Sequence, residues 1–466
     1  MKARWFAVGT FLLAGVAALA QSQSSSQPPT PAALNALAKQ ALASGKTPGF
    51  CLAVQWQGKP YFMGSYGLAD TEKHIPISAE TRYAIGSISK QFAAVAVLQL
   101  SDQGKLSLDD ALAKYLPTIP NADRITLRML LNQTSGLHNY PNTSEHDWPN
   151  HGSIPTARLI AIMAQDKPDF PPGTRFEYSN TNYFALAAVV TQVSGEPFSD
   201  YLHQHIFELL GMAGSGDGFA SQHGLAIPVG GQGDPHHPNS LDLYQGAGSV
   251  VSTAGDLLRW DQALLDRRLL KPESMRLLWS AGQPATGTST YAMGFVTASI
   301  SGHREVWHNG LTPTAGGYNL NAIFPDDRLA IVVLSNGPDF QPEPEKLVKM
   351  VALRFLGESA IQGSGGPEDP AVTALARKVY TQMRAGGVDP ALLSPQMASL
   401  LTSDALTKQK PVFDQLGDPT KLTLESRSTS AQGITWRYLA DFPAAQLHVT
   451  ISIGQDGKVA GYLLQP

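Results

Sequence analysis

Residues 83–100 read YAIGSISKQFAAVAVLQL. A serine precedes an almost unbroken apolar helical run, and a lysine follows that serine by three residues. Positions three apart on a helix share a face, so Ser87 and Lys90 can meet at the first turn. The run FAAVAVLQL is apolar nearly all round, which predicts a helix sunk in a core, with Gly104 as its stop. A helix start presents unpaired N–H groups and the positive end of the dipole, and both favour an alkoxide or an acyl oxyanion. Burial lowers the pKa of a lysine and lets it accept a proton near neutral pH. The pair suits a nucleophile and its base. Taken alone, it also fits a capping serine and a snorkelling lysine.

Two later stretches favour chemistry. FEYSNTNYFALAAVV (residues 176–190) sets Tyr178 and Asn180 just before another apolar helix, where a phenol and an amide can point into one cleft. VWHNGLTPTAGGYNLNAIF (306–324) ends a short strand at His308-Asn309-Gly310, and Gly310 lets a substrate backbone approach closely.

Ser87-Ile88-Ser89-Lys90, Tyr178-Ser179-Asn180 and His308-Asn309-Gly310, in this order, resemble the three motifs of the serine β-lactamase-like superfamily. The branch is similar to class C β-lactamases, D,D-carboxypeptidases, D-aminopeptidases and related esterases. MLLNQTSGL (129–137) and GAGSVVSTAGDLLRW (246–260) resemble family loops beside the pocket. The resemblance covers roughly Leu34 to Leu356. It implies that Ser87 forms an acyl-enzyme while Lys90 and Tyr178 share its proton, with the choice of base left open. To serve as a phenolate, Tyr178 must be depressed by Lys90. Asn180 would orient Lys90, and the N–H groups of Ser87 and Leu311 would form the oxyanion hole. His308, Asn309, Gly310 and Leu311 join Asn180 as expected substrate-binding residues. No metal or organic cofactor is expected. True class C enzymes resemble Lys-Thr-Gly at the third motif. His308 and Asn309 supply neither the fixed cation nor the hydroxyl for a carboxylate beside the scissile bond. The expected function is a secreted serine hydrolase acting as an esterase or D-amino-acid amidase or peptidase. The alternatives are a D,D-carboxypeptidase or β-lactamase, and a non-catalytic penicillin-binding sensor.

The bulk properties agree. The 466 residues carry a net charge of −4 with signs mixed along the chain, so no basic block invites nucleic acid. The expected partner is a small ester, amide or peptide, cell-wall fragments included. Lys2 and Arg4, the apolar stretch Trp5–Leu19 and the site Ala18-Leu19-Ala20 predict a signal peptide over 1–20 and a periplasmic or secreted protein. An uncleaved anchor is the competing reading; after cleavage no stable membrane insertion is expected. Cys51, the single cysteine, excludes an internal disulfide and reads as core filler.

The expected fold is α+β: an antiparallel sheet flanked by helices with a large helical insertion, then a small α+β domain. The predicted boundaries are a polar linker at 21–32, a hydrolase domain at 33–358, a linker at 359–370 and an accessory domain at 371–466. That last domain carries no readable chemical constellation, and a further possibility is that it binds a partner. His146, Asp147 and His151 lie close in sequence but match no compact metal-ligand spacing, and read as a lid loop with Trp148 near the pocket. His236-His237 reads as loop. A second Tyr-x-Asn, Tyr140-Pro141-Asn142, reads as pocket rim or loop structure.

Overall fold

The structure is a computed structural model and describes residues 28–43, 47–140, 155–218, 225–226, 241–280, 282–286, 289–312, 317–337, 340, 343–357, 369–430 and 433–465. The predicted signal peptide, most of both linkers, the 144–151 cluster, Pro141-Asn142 and His236-His237 lie outside these residues.

Helix α1 (Pro31–Ala43) leads into strands β1 (Gly49–Trp56), β2 (Lys59–Asp70), β3 (Ile75–Pro76) and β4 (Tyr83–Ala84). The β1–β2 hairpin turns on Gln57 and Gly58, both at positive φ (51° and 78°), the pair of conformations a tight hairpin with right-handed strand twist needs. One 3₁₀ turn, Gly86–Ile88, precedes α2 (Ser89–Asp102). The insertion holds α3 (Leu127–Leu131), α4 (Thr156–Met163), α5 (Asn180–Ser194), α6 (Phe198–Leu202), α7 (Glu208–Leu210), β5 (Gly216–Asp217), β6 (Val250–Ser252), α8 (Ala254–Leu265) and α9 (Pro272–Leu278). Strands β7 (Gln283–Thr286), β8 (Ser289–Tyr291), β9 (Val296–Ile300), β10 (His303–Thr312), β11 (Gly317–Phe324) and β12 (Leu329–Ser335) follow, then α10 (Pro344–Leu356).

Nine strands form one antiparallel sheet in the order β3-β2-β1-β12-β11-β10-β9-β8-β7. The central strands are apolar throughout because both faces are covered. Phe50, Leu52, Val54, Ile331 and Val333 pack toward α1 and α10, while Cys51, Ala53, Val332 and Leu334 join the core on the other face with α2 and α8. Helix α2 buries Phe92, Val95, Val97, Leu98 and Leu100 completely. Each such side chain contributes about 1.5–3 kcal/mol, enough to fix the helix and the turn before it.

The stretch Tyr291–Ser299 holds two strands with a bend between them. Strand β8 ends at Tyr291 and β9 starts at Val296. The link closes with Ala292 N–H donating to Phe295 O at 2.8 Å and turns at Gly294 (φ 77°). A Cβ on Gly294 would stand 2.6 Å from the Lys90 carbonyl, so the bend is what lets this edge pack on the first turn of α2.

A separate core follows. Helices α11 (Pro370–Arg384), α12 (Pro395–Leu400) and α13 (Ser403–Leu416) cover one face of a four-stranded meander, β13 (Lys421–Ser430), β14 (Gly433–Asp441), β15 (Gln446–Gly454) and β16 (Val459–Gln465). Among the described residues no helix is long and apolar enough to cross a membrane.

Candidate active site

Ser87 sits in the 3₁₀ turn at the mouth of α2. Gly86 takes φ 55°, and a Cβ there would meet the Leu311 carbonyl at 2.9 Å, so glycine lets this turn press against β10. Three contacts hold the turn. Ile85 N–H donates to Val250 O at 3.0 Å; Ser89 Oγ donates to Gly86 O at 2.7 Å and accepts from Val250 N–H at 3.0 Å. Asn319 of β11 reaches across to the Ala84 carbonyl at 3.0 Å. The short strands β4, β6 and β5 form their own sheet, which ties the Ser87 turn to the 246–250 loop.

Lys90 is wholly buried. Its Nζ lies 3.1 Å from Ser87 Oγ, 2.8 Å from Asn180 Oδ1 and 2.7 Å from the Ala247 carbonyl. Burial drives its pKa well below the ordinary lysine value. The Tyr178 hydroxyl donates to Ser87 Oγ at 2.7 Å, and Lys90 Nζ is 4.7 Å from the Tyr178 ring centre. Lys90 and Tyr178, drawn from two distant segments, thus meet at the Ser87 oxygen, and Asn180 holds Lys90 from the side.

The depression that a Tyr178 phenolate would require is absent. Tyr178 exposes about a third of its surface (36%), but its hydroxyl is held at Ser87 and its ring packs beside Lys90 Nζ and Tyr291. Desolvation and the neighbouring Tyr291 push its pKa well above the ordinary phenol value, and the Ser87 contact only partly offsets this. The low-pKa member of the pair is the lysine.

His308 is buried and packs 6.1 Å from Tyr178 and 5.9 Å from Tyr291, ring centre to ring centre. Its Nδ1 lies 2.6 Å from the Asn309 carbonyl, which can only accept, so Nδ1 carries the proton. Desolvation, and then the positive Lys90, pull the imidazole down to about 3. His308 is therefore neutral, with Nε2 as an acceptor 3.4 Å from the Tyr291 hydroxyl.

Asn309 does not line the cleft as expected. Alternate strand residues face opposite ways. With His308 turned toward Tyr178, Asn309 turns to the other face, where its amide donates to Glu345 of α10 at 3.1 Å and Tyr318 donates to the same carboxylate at 2.8 Å. Its side chain is part of the strand's anchorage and not of the cleft. Gly310 lies against Ile85, where a Cβ would come 1.8 Å from the carbonyl oxygen. The Leu311 side chain is exposed. Strand β9 pairs only with residues 303–307 of β10, so 308–312 continue beyond the end of that neighbour.

The 132–140 loop braces Tyr178-Ser179-Asn180. Gln133 Oε1 accepts from Ser179 N–H at 3.0 Å and from Asn182 Nδ2 at 2.5 Å, and Asn139 Oδ1 accepts from Asn180 N–H at 2.8 Å. Tyr140 is fully buried and donates to the Leu243 carbonyl, a structural role. Trp307 packs with the α1 and α10 core. Among the described residues no group of three or more His, Cys, Asp or Glu side chains could hold a metal ion. The Ala247 carbonyl and Tyr291 were not singled out in the sequence; nothing marks a backbone acceptor except the glycines around it.

The β-lactamase family profile matches residues 34–353. The chain belongs to the β-lactamase family. It is 32% identical over 280 residues to the PbpX protein of Bacillus subtilis strain 168, a match covering 58% of this chain and 66% of that protein. The β-lactamase fold is shared with D-amino acid amidase from Ochrobactrum anthropi SV3 (TM-score 0.61, 23% identity, 69% of this chain and 97% of that one). It is shared as well with EstCE1, a hydrolase with promiscuous acyltransferase activity (TM-score 0.59, 20% identity, 70% and 97%).

Proposed function

We propose that the chain is a secreted serine hydrolase that cleaves an ester or amide through an acyl-enzyme on Ser87. The observation that carries this reading is the convergence of Lys90 Nζ and the Tyr178 hydroxyl on one serine oxygen. The three oxygens around Lys90 assign the protons. Asn180 Oδ1 and the Ala247 carbonyl can only accept. A neutral amine spends its two N–H groups on them and aims its lone pair at Ser87. Lys90 then takes the Ser87 proton as Oγ bonds to the acyl carbon. Tyr178, a neutral phenol, hands its proton to the leaving oxygen or nitrogen as that bond breaks, and Lys90 returns a proton to Tyr178. Water later deacylates Ser87 by the same route in reverse. General acid–base assistance of this kind contributes about 10²–10⁴-fold. The Ser87 and Leu311 N–H groups are the proposed oxyanion hole, each donor lowering the barrier by about 3 kcal/mol.

Neutral His308 offers an acceptor where a carboxylate would need a cation. This supports esters and amino-acid amides over β-lactams and D,D-peptides, in line with the amidase and EstCE1 folds. The penicillin-binding reading rests on the family and would make the protein a sensor that acylates and stalls. Millisecond release of p-nitrophenol from p-nitrophenyl butyrate tests both. The proposal expects a burst followed by steady turnover, both lost in Ser87→Ala. A burst without turnover favours the sensor, and equal rates in the two proteins overturn the assignment.

A further inference from the structure

The Ala247 carbonyl is one of three groups that set the proton position on Lys90, yet it belongs to a glycine-flanked loop. Gly246, at φ 72°, leaves room for α5: a Cβ there would stand 2.5 Å from the Tyr183 carbonyl. The N–H groups of Ala247 and Gly248 both donate to Tyr244 O at 2.7 Å. The far end of the turn is closed by a side chain. Ser249 Oγ accepts from Gly246 N–H at 3.2 Å, and its own proton goes to Asp217 Oδ1 at 2.5 Å. Asp217 is itself fixed in β5, paired with Val250, while Gly218 N–H donates to the Ser249 carbonyl at 3.1 Å. Both Asp217 and Ser249 are buried.

We propose that Asp217 and Ser249 are positioning residues that hold the Ala247 carbonyl against Lys90. They touch neither substrate nor the reacting atoms. Burying a carboxyl is costly, and here it spans the turn from which that carbonyl projects. Burial, and then Asp242 beside it, raise the Asp217 carboxyl to about 7, with the Ser249 contact lowering it in part. Around Lys90 the other titratable neighbours are Tyr178, Tyr183 and His308. None of them supplies an acceptor that replaces Ala247.

The inference rests on the role proposed for Ser87 and Lys90, and its test separates the two. The Ala247 carbonyl favours the ammonium form of Lys90, because it accepts from the charged group. Loosening it lowers the Lys90 pKa further, so the neutral base persists to lower pH. The readout is kcat/KM against pH with p-nitrophenyl butyrate, alongside Tm. Ser249→Ala is expected to lose about tenfold in kcat with KM little changed, and to move the acidic limb toward lower pH. Asp217→Ala is expected to shift the limb in the same direction, and Asp217→Asn, which keeps an oxygen for Ser249, to stay close to native. A folded Ser249→Ala protein with a native limb overturns the inference, including when kcat falls only in step with Tm. Should that variant fail to fold, the Asp217 pair decides: a shift in Asp217→Ala alone supports the inference, and native limbs in both overturn it. Absence of Ser87-dependent turnover in the native protein removes the reading of Ser87 itself, and this one with it.

Discussion

Lys90 and Gln91 are neighbours on α2, both fully buried, and they lead to opposite outcomes. Gln91 turns into a sealed cluster. Its Oε1 accepts from Trp260 Nε1 at 3.0 Å and from Asn321 Nδ2 at 3.2 Å, and Asn321 Nδ2 also reaches Asp261 at 2.8 Å. Trp260, Asp261 and Asn321 are all shut away from solvent. Lys90 turns into a cluster of the same polarity that ends on Ser87 and the partly exposed Tyr178 ring. Both clusters hold costly polar groups inside a core, and in the Gln91 cluster Gln91 Nε2, Asp261 Oδ2 and Asn321 Oδ1 make no hydrogen bond. Only one has an oxygen that a substrate can reach. Reach, together with a proton that can move between matched groups, separates a catalytic polar cluster from one that ties helices to a sheet.

The contrast is sharpest under substitution. Lys90→Met removes the base but keeps the length of the side chain. The expected fall in kcat is about 10³-fold or more, with Tm close to native because the buried amine gives way to a thioether that packs. A large loss of Tm with the same residual kcat per folded molecule would place Lys90 among the structural groups instead. Tyr178→Phe is expected to lose about 10²–10³-fold in kcat, with the larger deficit for amide substrates, whose leaving nitrogen needs the proton more than a nitrophenolate does. Comparison of the ester with the matching p-nitroanilide measures it.

Gln91→Leu is the mirror experiment. It strips an acceptor from Trp260 and Asn321, so urea denaturation should record a loss of about 1–3 kcal/mol, while kcat stays native. A matching loss of kcat would break the distinction between the two clusters. Asp261 sharpens it by pH. Burial holds its pKa well above the ordinary carboxylate value, with Asn321 only partly offsetting this. The unfolded chain therefore ionises first as pH rises. The stability tied to this group is full below about pH 4 and is lost as pH climbs toward the folded pKa. Asp261→Asn should be more stable than the native protein at pH 7 and should lose that advantage near pH 4, as denaturation at the two pH values would record. The smallest effect belongs to His308. Because the imidazole is already neutral across the assay range, His308→Gln should leave the acidic limb of kcat/KM where it is.

Much of this arrangement was legible in the sequence, because it rests on periodic burial and on turn residues. The apolar run after Ser87 announces its helix, and the paired runs around Asp326-Asp327 announce β11 and β12. The three short motifs bring the right side chains into one resemblance. The rest depended on things a sequence does not display. Strands β4, β5 and β6 are two or three residues long, too short for a period, yet they frame the Ser87 turn. Asn309 sits inside a motif and still faces away, because strand alternation outweighs proximity in sequence. The choice between Lys90 and Tyr178 as base stayed open in the sequence for a related reason. Proximity to Lys90 was visible, but the desolvation that acts on both groups comes from distant segments, including Tyr291.

The central claim is a covalent acyl group on Ser87. Native protein mixed with p-nitrophenyl butyrate, quenched in acid during the burst and digested, gives peptides whose masses locate the acyl group. The account predicts one butyryl group on the peptide that contains Ser87, absent from Ser87→Ala and accumulating far more slowly in Lys90→Met. Turnover with no acylated peptide, or butyryl found on another residue, would contradict it.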